Sequence, residues 1–153
     1  MKVLLLSGLP ESQLRPKNIL VGTHDGQPVN IRTTVCGDES KPKVVFVHGY
    51  GGSGALFFKI IKQMCKYFCV IFVDIIGMGA SSRPSDYDYE NITAEESIEY
   101  FNGYLEQWRK AMGGLTDFYL VGHSFGGYLV GNYAAKYHQH IKKVLLLSPI
   151  GVR

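Results

Sequence analysis

A chain of 153 residues, 46% hydrophobic and 19% charged with a formal net charge of +3, is long enough to bury one sizeable core. Its charges are mixed in sign and form no basic stripe, which excludes a nucleic-acid-binding surface. No stretch approaches the ~18 apolar residues of a membrane-spanning helix. The opening Met1-Lys2-Val3-Leu4-Leu5-Leu6 imitates a secretory signal, but Ser7-Gly8 and Pro10-Glu11 interrupt it short of the ~7–15 apolar residues such a segment needs. Cys36, Cys65 and Cys69 form an odd set without Cys-x-x-Cys spacing. That suits free thiols in a reducing, cytoplasmic compartment and offers no metal-ligand pattern.

Residues 1–17 read as a lead-in and residues 18–153 as one α/β domain. Residues 18–23 and 29–36 read as a hairpin across His24-Asp25-Gly26-Gln27. The apolar run at 44–47 leads into Gly49-Tyr50-Gly51-Gly52-Ser53-Gly54 and a helix expected over about 53–66. A second run covers 68–73. Thr93-Ala94-Glu95-Glu96 is a capping box, opening a helix to residue 112 whose Ile98, Phe101, Leu105, Trp108 and Met112 share one face. Runs at 118–121 and 144–147 flank a helix expected over 128–137. Continuous apolar runs mark strands buried on both faces of a parallel sheet, and their alternation with helices gives an α/β fold. A mostly parallel sheet of about six strands is expected, with helices on both faces, the hairpin at one edge and residues 144–147 at the other. That last strand would be uncovered and able to pair with another chain.

Gly122-His123-Ser124-Phe125-Gly126 lies between a strand and a helix, the arrangement of a nucleophile elbow. Ser124 is therefore the candidate nucleophile. Gly122 and Gly126 would relieve clashes around it, and Gly127, Gly131, Ala134 and Ala135 would let the next helix lie close to the sheet. The glycine-rich turn has two readings. Gly49 to Gly54, trailed 20 positions later by Asp74, fits a dinucleotide fingerprint. It also fits an oxyanion hole, which needs bare amides close to a developing alkoxide. The elbow favours the second reading, with the backbone amides of Phe125 and Tyr50 as donors.

Three motifs, taken in order, resemble the α/β-hydrolase superfamily over about residues 18–152. They are His48-Gly49-Tyr50-Gly51-Gly52, Asp74-Ile75-Ile76-Gly77-Met78-Gly79-Ala80-Ser81-Ser82-Arg83-Pro84 and Gly122-His123-Ser124-Phe125-Gly126-Gly127. The Gly79 to Pro84 stretch, Glu106-Gln107-Trp108-Arg109-Lys110-Ala111-Met112 and Ser148-Pro149-Ile150-Gly151 look like the branch of N-acyl-phospholipid and lysophospholipid lipases and the lipid-droplet lipase coactivator. The coactivators lack the serine and the lipases keep it, as this chain does. The resemblance implies a serine hydrolase acting on ester or amide bonds of lipids, without metal or organic cofactor, with peripheral contact to a lipid surface.

The resemblance also implies an acid and a base on later strands and a lid. Only 29 residues follow Ser124, with no histidine beyond His140. The expectation is a domain truncated after its sixth strand, against a subunit completed by another chain or a non-catalytic hydrolase-like binding module. The histidines present are poor bases: His123 points away from the elbow, His48 holds the glycine turn, and His24, His138 and His140 are surface residues. Asp74 is expected to cap loop amides. Arg83 is either solvated or placed to meet a lipid phosphate.

Overall fold

In a computed structural model, residues 2–151 are described; Met1, where the signal-like run starts, and Val152 and Arg153, the last two residues of the expected domain, lie outside them. Strands β1 (Leu14–His24) and β2 (Gln27–Cys36) pair antiparallel, with His24 opposite Gln27. The turn is therefore the two residues Asp25-Gly26, at φ 48° and 72°, a geometry whose twist matches that of a hairpin. It is tighter than the four-residue connection expected. β1 also starts within the expected lead-in and runs through Pro16, which a strand at the sheet edge tolerates.

The remaining strands are β3 (Lys43–Val47), β4 (Cys69–Val73), β5 (Phe118–His123) and β6 (Ile141–Leu147). The sheet order is β1-β2-β4-β3-β5-β6. β2 meets β4 antiparallel, while β4, β3, β5 and β6 are mutually parallel. Among the described residues four α-helices accompany them: α1 (Lys2–Leu5), α2 (Phe58–Met64), α3 (Ala94–Ala111) and α4 (Phe125–Tyr137). The helix expected over 53–66 is a 3-10 turn at Gly54–Phe57 running into α2. The last of the four, expected from residue 128, starts directly after Ser124.

The apolar runs are continuous because alternate residues feed two cores. Val45, Val47, Ile71, Val73 and Leu120 face α3 and α4, packing on Trp108, Leu129 and Tyr133. Val44, Phe46, Val70, Phe72 and Val121 face the opposite way, onto Ile61, Cys65 and Leu4. β6 is the uncovered edge expected at the side opposite the hairpin. Unlike the inner apolar runs it is not buried on both faces, and it leaves Val144, Leu145 and Leu146 38%, 56% and 40% exposed.

Three devices start α3 and fix it onto this frame. Its start is the capping box read from the sequence: Thr93 Oγ1 accepts from the Glu96 amide (3.2 Å) and Glu96 Oε2 accepts from the Thr93 amide (2.9 Å). Near its end, Trp108 Nε1 donates to the wholly buried Thr33 on β2 (2.8 Å). On either side of Trp108, Glu106 accepts two hydrogen bonds from Arg109, each 2.8 Å, and one from Tyr133 of α4 (2.6 Å), while Arg109 also donates to the Leu115 carbonyl (3.0 Å).

Candidate active site

Parallel strand β5 ends at His123, and the backbone reverses at Ser124 with φ 54° and ψ −119°. A non-glycine residue held there is strained, and such strain persists only where neighbours over-determine it. Three hydrogen bonds do so. The Ser124 amide donates to the Leu147 carbonyl on β6 (3.0 Å), and the Ser124 carbonyl accepts from the amides of Tyr128 (3.1 Å) and Ile150 (3.3 Å). The elbow is thus gripped by the first turn of α4 and by the segment after β6.

The glycines around it are explained by close approach. A side chain at Gly122 would strike the Gly126 carbonyl and Val130, and one at Gly126 would strike the carbonyls of Val47 and His48. A Cβ on Gly49 would lie 3.0 Å from that of Ser124, so the glycine turn after β3 sits directly against the serine. Gly127 fits the reading that it brings α4 onto the sheet: a Cβ there would press on the Gly122 carbonyl of β5 (3.1 Å) as well as on Pro149 beyond β6 (2.9 Å). Gly131 does not need to be glycine for that, since a Cβ on it meets only Leu146, at 4.0 Å.

Ser124, Phe125 and Tyr50 are brought together. The exposed Tyr50 ring stands edge-on to Phe125, 6.4 Å between centroids, and Phe125 begins α4. The N-terminus of that helix presents its unpaired amides and positive dipole end beside the serine.

The other residues singled out from the sequence brace this corner. His48 is wholly buried. Its Nε2 accepts from the Ile75 amide (3.0 Å), which puts the proton on Nδ1, donating to the Gly49 carbonyl (2.7 Å). Burial pushes this imidazole below its usual range and keeps it neutral. Asp74 spends both carboxylate oxygens on loop amides, of Gly54 (2.8 Å) and Ala80 (2.9 Å). Its side chain therefore clasps the two loops that a nucleotide-binding reading would separate. His123 packs edge-on against Phe57, 6.3 Å away. His24 reaches Ser85 at the hairpin tip (3.1 Å), and His138 and His140 follow α4, about 20 Å from Ser124 at 1.5 Å per residue. Among the described residues none of these imidazoles hydrogen-bonds Ser124.

Beside the elbow a cleft of about 500 Å³ runs under Tyr50 and Phe125. Its floor is an aromatic chain: Tyr87 packs on Tyr100 (4.9 Å) and Phe101 (5.4 Å), and Phe101 meets Phe125 edge-on (5.4 Å). Tyr100 donates to Asp86 (2.8 Å), fixing the loop before α3. Sequence reasoning missed Tyr87 and Tyr100. Tyr87 lies in a loop without periodicity, and Tyr100 adjoins Phe101 but lies off the face singled out on α3.

The family model for the alpha/beta hydrolase fold matches residues 42–152, from the start of the parallel strands through the elbow. The chain belongs to the α/β-hydrolase family. It is 41% identical over 113 residues to the 1-acylglycerol-3-phosphate O-acyltransferase of Arabidopsis thaliana, covering 74% of this chain and 26% of that protein. It is 32% identical over 123 residues to the (Lyso)-N-acylphosphatidylethanolamine lipase of Mus musculus, covering 79% and 34%. In fold it is similar to lip1 of Acinetobacter baumannii AYE, a lipase candidate, with a TM-score of 0.81 at 22% identity over 99% of this chain and 46% of that one. The chain thus spans about a quarter to a third of these curated relatives.

Proposed function

We propose that this chain carries the nucleophile and oxyanion side of a serine hydrolase acting on acyl ester or amide bonds of lipids or lysophospholipids. Ser124 attacks the acyl carbonyl, and the amides of Phe125 and Tyr50 receive the oxyanion, each such donor being worth roughly 2.7–4 kcal/mol in the transition state. The acyl group then passes to water or to another hydroxyl. The observation that carries this reading is the strained Ser124 at the β5–α4 junction, set against the Gly49 turn. Both relatives named above move or cleave acyl groups of lipids by name, and the aromatic cleft suits an acyl chain. Three buried free thiols suit a cytoplasmic compartment.

A fluorophosphonate probe tests the serine. The expected result is an adduct on Ser124 that Ser124→Ala abolishes; an intact, folded chain that stays unlabelled sinks the nucleophile assignment. It would favour the second reading, a non-catalytic binding module, whose support is that among the described residues no imidazole hydrogen-bonds Ser124. Turnover of a short-chain ester by this chain should be slow in either case. Oxyanion donors and binding alone give at most ~10³-fold over water when the base is missing.

Self-association belongs to the same proposal. β6 presents an open, apolar edge, and such an edge is a pairing template. Sedimentation at micromolar concentration should show oligomers, which Leu145→Lys should shift towards monomer. A wild-type chain that sediments as a monomer removes this part of the proposal.

A further inference from the structure

Two clefts open on either side of the loop that follows Asp74, and one charged side chain stands in both. The first is the aromatic cleft of about 500 Å³. The second, of about 560 Å³, follows the Gly51 to Ser53 turn past Leu56 and Phe58. Arg83 lines each of them, and every other described residue lining either is uncharged.

The guanidinium is held on this ridge by neutral partners. Its Nη1 donates to the Ser81 carbonyl (3.2 Å) and its Nη2 to the Gly79 carbonyl (3.0 Å). Those carbonyls belong to the loop clasped by Asp74, so the anchor is itself fixed. Among the described residues no carboxylate forms an ion pair with Arg83. The fork keeps further N–H donors for a ligand, and its planar geometry matches two oxygens of one phosphate. Arg83 also borders a third cleft, at the hairpin tip, but the carboxylate there, Asp25, lies against His24 Nε2 (3.2 Å) and forms no ion pair with Arg83. A cation without an ion-pair partner beside two otherwise uncharged, largely apolar clefts complements a molecule with an anionic group joined to hydrocarbon. A cleft of about 500 Å³ is of the size that encloses one ligand, which suits one acyl chain.

We propose that Arg83 binds the phosphate of a single-chain lipid whose acyl chain lies in the aromatic cleft, and that it thereby selects phosphate-headed over uncharged acyl substrates. This rests on the reading of Ser124 as nucleophile for the bond that is cut. Binding and selection are properties of Arg83 and the cleft themselves.

The test is equilibrium binding, below the micelle-forming concentration, of dodecyl phosphate, of uncharged 1-O-dodecylglycerol and of inorganic phosphate. Wild type should bind dodecyl phosphate at least tenfold more tightly than either of the others, and less tightly as salt is raised. Arg83→Gln should lose that preference while holding dodecylglycerol within about twofold of wild type, and Arg83→Lys should keep part of it, guarding against a folding defect. Equal losses for both amphiphiles in Arg83→Gln, no loss in either, or inorganic phosphate binding as tightly as dodecyl phosphate would each overturn the proposal. A chain that keeps the Arg83-dependent preference but is not labelled at Ser124 refutes the nucleophile alone; one that is labelled but shows no preference refutes the Arg83 proposal alone.

Discussion

Arg109→Ala should destabilise the fold by about 3–5 kcal/mol, the usual cost of stripping the partner from a buried charge. Glu106 and Arg109 side chains are 9% and 7% exposed, and the carboxylate also accepts from Tyr133. Hydrogen bonds from Arg109 hold the Glu106 carboxyl at about 2, against a usual 4.5, in spite of burial. At about 1.4 kcal/mol per pKa unit this is roughly 3 kcal/mol. The folded state binds the proton less well than the unfolded chain, so this stability is complete above about pH 4.5 and is lost as pH falls towards 2. Urea unfolding across that range should show the acid limb in wild type and a much flatter one in Glu106→Gln. The paired change Glu106→Leu with Arg109→Met should recover much of the loss, because no charge is then left buried and unpaired. An Arg109→Ala chain within about 1 kcal/mol of wild type would mean that the pair adds little.

Gly126→Ala should be the most damaging single methyl in the chain. Ordinary overpacking costs about 1–3 kcal/mol because side chains move aside. Here the obstacles are the backbone carbonyls of Val47 and His48, on the central strand and the histidine that ends it. A loss above about 3 kcal/mol is expected, together with loss of fluorophosphonate labelling. Gly131→Ala, one turn further along α4, is the control. Its new Cβ would meet only Leu146 at 4.0 Å, so the variant should be neutral or gain about 0.4–1 kcal/mol from a less flexible unfolded chain. Denaturant midpoints measure both, and similar values for the two would show that the elbow can yield.

The parts of this fold legible in the sequence were those encoded locally. Four apolar runs announced strands because each residue had a core to enter on one side of the sheet or the other. Thr93 and Glu96 announced a helix start because both partners lie within one turn. The sharp turn at Ser124 was legible because glycines on both sides of a serine after a strand signal close backbone approach. The Glu106, Arg109 and Tyr133 network was not, since Tyr133 lies 27 residues from Glu106 and polar residues on a helix otherwise read as its solvated face. The two edges of the sheet were legible, but the order of the inner strands was hidden, because nothing in β2 or β4 states that they will be antiparallel neighbours. At β6 the uncovered edge was expected from its place last in the chain order, not from its composition: an apolar strand is doubly buried only when elements close over it, and periodicity carries no record of what lies alongside.

Trp108 is the only tryptophan of the chain. Its indole is 1% exposed and its N–H is fixed to Thr33, which joins α3 to the hairpin strand that borders β4. The indole emission of this protein therefore has a single origin, beneath α3 and on the opposite side of the sheet from α2. Loosening of that layer would redden the emission, whereas fraying of α2 or pairing along β6 would leave its colour unchanged. One chromophore thus separates loss of the layer that carries α3 from events at the other face and at the far edge.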